Sequence, residues 1–184
     1  MINQSNNIED KFKIIISVGD ESGIGPEIIL KALFSKEIPQ NLDFIIVGSK
    51  NNLENTYKNL KSLGDKNIVD PNNYQIHDIK IPFEINKPKK SNGNASFLYL
   101  KEAIELVQKY TNAALVTGPI CKKSWSLAGH NYSGQTELLA ESCQVSDVVF
   151  YLQLNLQSLV GDLTPYWQLH TYLYATYQNN YLNT

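Results

Sequence analysis

The residues of this chain whose types and spacing suit chemistry are neutral donors beside turns, not a set of acids and bases. Gln135 and Thr136 follow Ser133-Gly134 and precede Glu137-Leu138-Leu139-Ala140, a helical pattern. Amide, hydroxyl and free backbone N–H groups therefore converge at a helix start, which suits a phosphate or carboxylate; simple N-capping by Thr136 is the alternative. Upstream, the apolar run Ala113 to Thr117 ends in Gly118-Pro119, which reads as a buried strand turning into a helix with Pro119 at its first position. Lys122 and Lys123 then lie near that helix start, as partners for an anion or as plain surface lysines. The same form occurs earlier: Lys13 to Val18 leads through Gly19 to Gly25 into a helix with Gly25 as its cap, Pro26 first and Glu27 in the first turn. Two such corners at the C-terminal ends of parallel strands would face an anion with Gly25, Thr117, Gly118 and Lys122. The glycines could equally serve tight turns alone. Gly23-x-Gly25 is followed by Ile28 where a third glycine would complete a dinucleotide fingerprint, and no Gly-Lys-Ser/Thr of a phosphate-binding P-loop follows.

The elements that must position these residues follow from periodicity. Lys13 to Val18 and Leu42 to Gly48 are apolar on both faces, as central parallel strands are. Asn52 to Leu63 has leucines at helical spacing, so the opening reads β-α-β-α. Asp65 to Pro88 is broken by Pro71, Pro82 and Pro88 and reads as irregular, with a short edge strand near Tyr74 to Ile81. His77 there reads as a surface residue, and Lys87-Pro88-Lys89-Lys90 as a solvated loop. Asn94 to Tyr110 is an amphipathic helix with Phe97, Leu100, Ala103, Ile104 and Val107 on one face. Ala128 to Tyr132 is a turn, and Asp147 to Tyr151 a further strand.

Composition sets the class. The chain has 184 residues, 42% hydrophobic, with net charge −2, enough for one sizeable core. No basic excess points to nucleic acid, no apolar run reaches the ~18 residues of a membrane span, and Met1 to Asp10 is too polar for a signal peptide, so the cytoplasm is expected. Cys121 and Cys143 have no metal-ligand spacing and read as two reduced thiols.

Four motifs in order carry a resemblance. Gly19-Asp20-x-x-Gly23-Ile24-Gly25-Pro26-Glu27, the helix from Asn92-Gly93 to Ala103, Leu115-Val116-Thr117-Gly118-Pro119-x-x-Lys122, and Ala128-Gly129 followed by Gly134-x-Thr136-Glu137 resemble the PdxA family of 4-hydroxythreonine-4-phosphate dehydrogenases. The resemblance covers about Lys11 to Phe150. It implies an α/β fold like isopropylmalate dehydrogenase, a mostly parallel sheet flanked by helices, a homodimer, and a C-terminal lobe missing from this chain. It further implies oxidation and decarboxylation of 4-phosphohydroxy-L-threonine, a phosphorylated small molecule, with NAD or NADP and a divalent metal, in pyridoxal 5'-phosphate synthesis. Gln135 and Thr136 map to the family's substrate-binding pair. Many members carry His where this chain has Gln135, and Gln can donate a hydrogen bond but cannot carry a proton, so binding is its implied role. None of His77, His130 and His170 stands in a family metal motif, so no metal ligand and no catalytic residue is assigned. A noncatalytic phosphometabolite-binding module and a nonfunctional translation product are the competing readings.

Tyr151 to Thr184 differs in kind: it holds one acid, Asp162, no Lys or Arg, and six of the eleven tyrosines. Folded surfaces seldom lose charge so completely. The expected division is therefore 11–150 as the family's N-terminal part and 151–184 as an aberrant tail, an uncharged hairpin being the alternative. The genetic code allows a test without DNA. Read from the third base of the Tyr166 codon, Tyr166 to Leu173 must encode Leu-Ala, permits Thr-Thr-His, forces an aliphatic residue, permits Pro, and forces an aliphatic again. Leu-Ala-Thr-Thr-His-Ile-Pro-Leu matches the metal-ligand segment that the family carries beyond this point, which predicts a single-base slip near the codons for Phe150 to Leu152.

Overall fold

The computed structural model describes residues 11–39, 41–81 and 90–145, and the backbone of 151–153 and 170–172. The chain divides into two compact units, 1–135 and 136–184.

In the first unit, β1 (Phe12–Ser17), β2 (Leu42–Gly48), β3 (Gln75–Asp78) and β4 (Ala113–Thr117) form one sheet in the order β3-β2-β1-β4. All three pairings are parallel, with Ile15 opposite Ile45 on one side and Leu115 on the other. The central place of β1 accounts for its apolar residues on both faces: Ile15, Ile16 and Ser17 are buried. The helices are α1 (Gly25–Ala32), α2 (Lys50–Ser62), α3 (Lys90–Val107) and α4 (Lys122–Ala128), with a short 3-10 turn at Pro71–Asn73. The chain winds outward from β1 to β3 and then crosses back to place β4 on the other side of β1. Right-handed crossovers in opposite directions put α1 and α2 on one face and α3 on the other. The core gathers Ile15, Val18, Leu30, Ile46, Leu53 and Tyr99.

Local chemistry sets the boundaries. The Ser49 hydroxyl accepts from the Asn52 N–H at 3.2 Å and caps α2, so that helix starts at Lys50, two residues before the predicted Asn52. Gly129, at φ +90°, closes α4 in the left-handed conformation. Tyr74 to Ile81 contributes the edge strand β3, as the pattern predicts. Helix α3 begins at Lys90, not Asn94, and buries Asn92 and Gly93 in its first turns. Residues 82–89, with most of the basic cluster, lie outside the described residues.

The second unit contains most of α5 (Gln135–Ser142), with Leu138 and Leu139 as its buried residues. It also holds β5 (Tyr151–Gln153), which pairs antiparallel with β6 (His170–Tyr172). The strand expected at Asp147 to Tyr151 falls mostly outside the described residues; β5 begins at Tyr151.

Candidate functional site

The sheet reverses its winding between β1 and β4, and the crevice beyond their C-terminal ends is where parallel α/β sheets seat ligands. Both predicted corners lie at those strand ends, and they are tied to each other. The Gly118 N–H donates to the Ser17 carbonyl at 2.7 Å, and the Asp20 N–H to the Pro119 carbonyl at 2.8 Å. A Cβ at position 118 would stand 2.2 Å from the Val18 carbonyl oxygen, and one at Gly25 2.3 Å from the same atom, so both glycines are required by close backbone approach.

Two local expectations are corrected, and one alternative is set aside. Pro119 is not the first residue of a helix: its carbonyl is engaged by Asp20, and α4 starts at Lys122 after Cys121, whose side chain makes no capping bond. Gly25 is the first residue of α1 rather than its cap, because Ile24 holds that place. The N–H groups of Gly25 and Glu27 have no intrahelical acceptor by helix geometry, since the first turn bond runs from the Ile28 N–H to Ile24. Thr136 lies within the first turn of α5, so it does not serve as the N-cap.

The structure brings Gly25, Gly118 and Gln135 together beside the end of β4 at Thr117: Gly25 and Gly118 both pack on the Val18 carbonyl, and Gln135 reaches the Gly118 carbonyl. Thr117 ends β4 opposite Ser17. Gln135 is half-buried, and its Nε2 donates to the Gly118 carbonyl at 2.8 Å, which fixes the amide on the corner and leaves its second N–H and its oxygen for other partners. Lys122 is exposed at the head of the seven-residue α4. Thr136 belongs to the second unit and is half-buried.

The histidines serve packing and surface roles. The His130 ring stacks on Phe97 with centroids 3.7 Å apart and planes at 8°, and its Nε2 lies 3.2 Å from Asn94 Oδ1. Burial holds its pKa below the ordinary value, which favours the neutral ring. His77 lies half-buried on the edge strand β3, its Nε2 3.5 Å from Glu102 Oε2. His170 falls where only the backbone is described. Among the described residues no three His, Cys, Asp or Glu side chains converge as metal ligands, so they do not fit the family's divalent metal. Cys121 and Cys143 are free thiols, as expected.

Sequence reasoning missed Glu21 and Tyr99. Glu21 follows Asp20 in the β1–α1 turn and is 6% exposed, with Oε1 accepting from the Ser49 N–H at 2.8 Å. Burial pushes its carboxyl up to about 7, against the opposing pull of the Tyr99 hydroxyl and the Ser49 N–H. Burial, then the charge of Glu21, push the Tyr99 hydroxyl up as well. The only sequence signal was a pair of acids, Asp20 and Glu21, directly after a buried strand.

This switch-point geometry matches a known family. The profile of the family described as "Pyridoxal phosphate biosynthetic protein PdxA" aligns with residues 40–172. The chain belongs to the PdxA family. The matched span runs past Phe150 to Tyr172. Among PdxA relatives, 4-hydroxythreonine-4-phosphate dehydrogenase from Nostoc sp. is 40% identical over 152 residues, covering 78% of this chain and 42% of its own length. The enzyme of the same name from Synechocystis sp. is 32% identical over 172 residues, covering 90% and 47%. The crystal structure of a 4-hydroxythreonine-4-phosphate dehydrogenase from Klebsiella pneumoniae superposes with TM-score 0.63 at 25% identity, covering 80% of this chain and 48% of that one. That from Burkholderia phymatum, at TM-score 0.65 and 24% identity, shares the fold over 79% and 47%. The chain thus spans about half the length of the PdxA proteins it matches. Among the described residues no helix is long and apolar enough to cross a membrane.

Proposed function

We propose that this chain carries the substrate-phosphate recognition part of a NAD- or NADP-dependent 4-hydroxythreonine-4-phosphate dehydrogenase of pyridoxal 5'-phosphate biosynthesis. Gln135 and Thr136 hold the phosphate of 4-phosphohydroxy-L-threonine with neutral donors at the start of α5, and Gly25, Thr117, Gly118 and Lys122 line the anion-facing side of the crevice. In this reading the protein is cytoplasmic and works as a homodimer. The observation that carries it is the Gln135 amide fixed on the Gly118 carbonyl, at the switch point of a PdxA-family sheet. Gln135 has no proton to give or take at neutral pH, so the activity proposed for the chain by itself is binding without turnover.

Calorimetry with 4-phosphohydroxy-L-threonine, run beside NADH or NADPH production with each cofactor and a divalent metal, tests this. Saturable binding without sustained turnover is expected. Robust turnover would show a self-sufficient enzyme, and absence of binding by a folded chain would refute the site.

A further inference from the structure

The turn between β1 and α1 carries a group that the proposed site does not use. Glu21 reaches from that turn to other elements: its Oε1 accepts from the Ser49 N–H at the head of α2 at 2.8 Å, and its main-chain carbonyl accepts from Asn52 Nδ2 at 3.4 Å. Its second oxygen, Oε2, and the Tyr99 hydroxyl of α3 are both buried and without a hydrogen-bond partner of regular geometry, as is Asn52 Oδ1. Tyr99 is nevertheless close enough to bias the carboxyl. A carboxylate in such a place is a desolvated charge with one neutral N–H for company; a carboxylic acid has a proton for the facing hydroxyl.

The charged groups acting on Glu21 are acids. Asp20 stands beside it in its own turn, where its Oδ1 accepts from the Ser22 N–H and hydroxyl, and Asp78 stands at the end of β3. From α2 come the uncharged Ser49 and Asn52. Lys50 gives its N–H to Asp78, while its ammonium points to Glu54 at 3.8 Å. From α3 comes Tyr99. Both acids oppose a second negative charge, in the same direction as burial.

We propose that Glu21 is a proton-operated latch: protonated, it fastens the β1–α1 turn to the head of α2 and to Tyr99, and on losing the proton it loosens residues 19–25 at the edge of the crevice. The latch stands on the fold alone and is independent of which ligand the crevice takes. Its range follows from linkage. A carboxyl at about 7 when latched and 4.5 when released makes the latched state lose ground as pH rises through that interval, and the loss levels off above it.

Hydrogen exchange of the Asp20, Gly23 and Ser49 amides, corrected for intrinsic rates, reads the latch in the full chain. Their opening constant should rise roughly 30-fold from pH 5 to pH 7 and little further above about pH 8. In Glu21→Gln, a neutral amide of the same shape, it should change by less than about threefold over the same range. No rise in the unsubstituted chain, or the same rise in the variant, would overturn the proposal. Carbon NMR titration of the Glu21 carboxyl gives a second reading without a variant. A midpoint near neutrality supports the latch, and one in the ordinary carboxylate range overturns it even if Glu21→Gln fails to fold.

Discussion

Gly93→Ala should unfold part of the helix packing that the PdxA sequence pattern conceals. At a free helix position the change would stabilise by about 1 kcal/mol, because alanine is the better helix former. Here a Cβ would stand 1.9 Å from the Ser124 carbonyl oxygen, 2.3 Å from the Ser124 carbonyl carbon and 2.9 Å from the Trp125 nitrogen, all backbone atoms of α4. Ordinary contact would require α4 to retreat by roughly 1.5 Å, and a gap of about 0.5–1 Å already forfeits a quarter to a half of a contact's attraction. The retreating segment holds Trp125, which is fully buried and donates from Nε1 to Ser96 Oγ at 2.8 Å. Overpacking costs about 1–3 kcal/mol and a lost buried hydrogen bond about 1. Less the gain in helix propensity of about 1 kcal/mol, the net destabilisation is about 1–3 kcal/mol. Urea unfolding followed by circular dichroism measures it as a shift in midpoint at constant slope. Gly64→Ala is the comparison: its Cβ meets nothing within 4 Å, and at φ +88° it suffers backbone strain alone, about 1 kcal/mol. Gly93→Ala at or above the stability of the unsubstituted chain would refute the packing argument.

The Glu21 carboxyl is raised from 4.5 to about 7 in the fold, so its contribution to stability is fully present below about pH 4.5 and lost as pH rises through about 7. At about 1.4 kcal/mol per pH unit over that interval, Glu21→Gln should gain about 3 kcal/mol relative to the unsubstituted chain between pH 5 and pH 8. His130, held below its ordinary value, acts in the opposite sense as pH falls, so the difference between the two proteins is the quantity to read; parallel stability curves would dismiss the buried-acid picture. Thr136→Ala should weaken binding of the phosphorylated substrate by about 1 kcal/mol or more with the fold intact, and equal affinity by calorimetry would count against the α5 site. For 151–184 we propose a shifted reading frame: sequencing the gene should show family sequence continuing in another frame beyond the codons for Phe150 to Leu152, and an intact frame stopping after Thr184 with no such continuation would reject it.

The sequence by itself determined the parts whose causes are local. The apolar runs of β1 and β2 announce buried strands, and the observed β2 spans the predicted Leu42 to Gly48, whereas the β4 run, expected to be buried, lies at the sheet's outer position with none of its residues fully buried and Val116 exposed. The four motifs carried the family and, with it, the fold. What local pattern could not decide is which ends meet. That Gln135 gives its amide to Gly118, 17 residues away, depends on where the β4 corner lies when α5 begins. That Glu21 is buried depends on the Ser49 N–H, 28 residues on, because only the pairing of β1 with β2 brings the head of α2 against the β1–α1 turn. Pro119 could read as a helix start from proline's fixed φ, but its carbonyl was claimed by Asp20 across the sheet, and that bond exists only once β4 has been laid beside β1. Periodicity registers the neighbours of a residue along the chain; the reversal of strand order, which sets the β4 corner beside the β1 corner, and the β1–β2 pairing, which buries the acid, are properties of the assembled sheet.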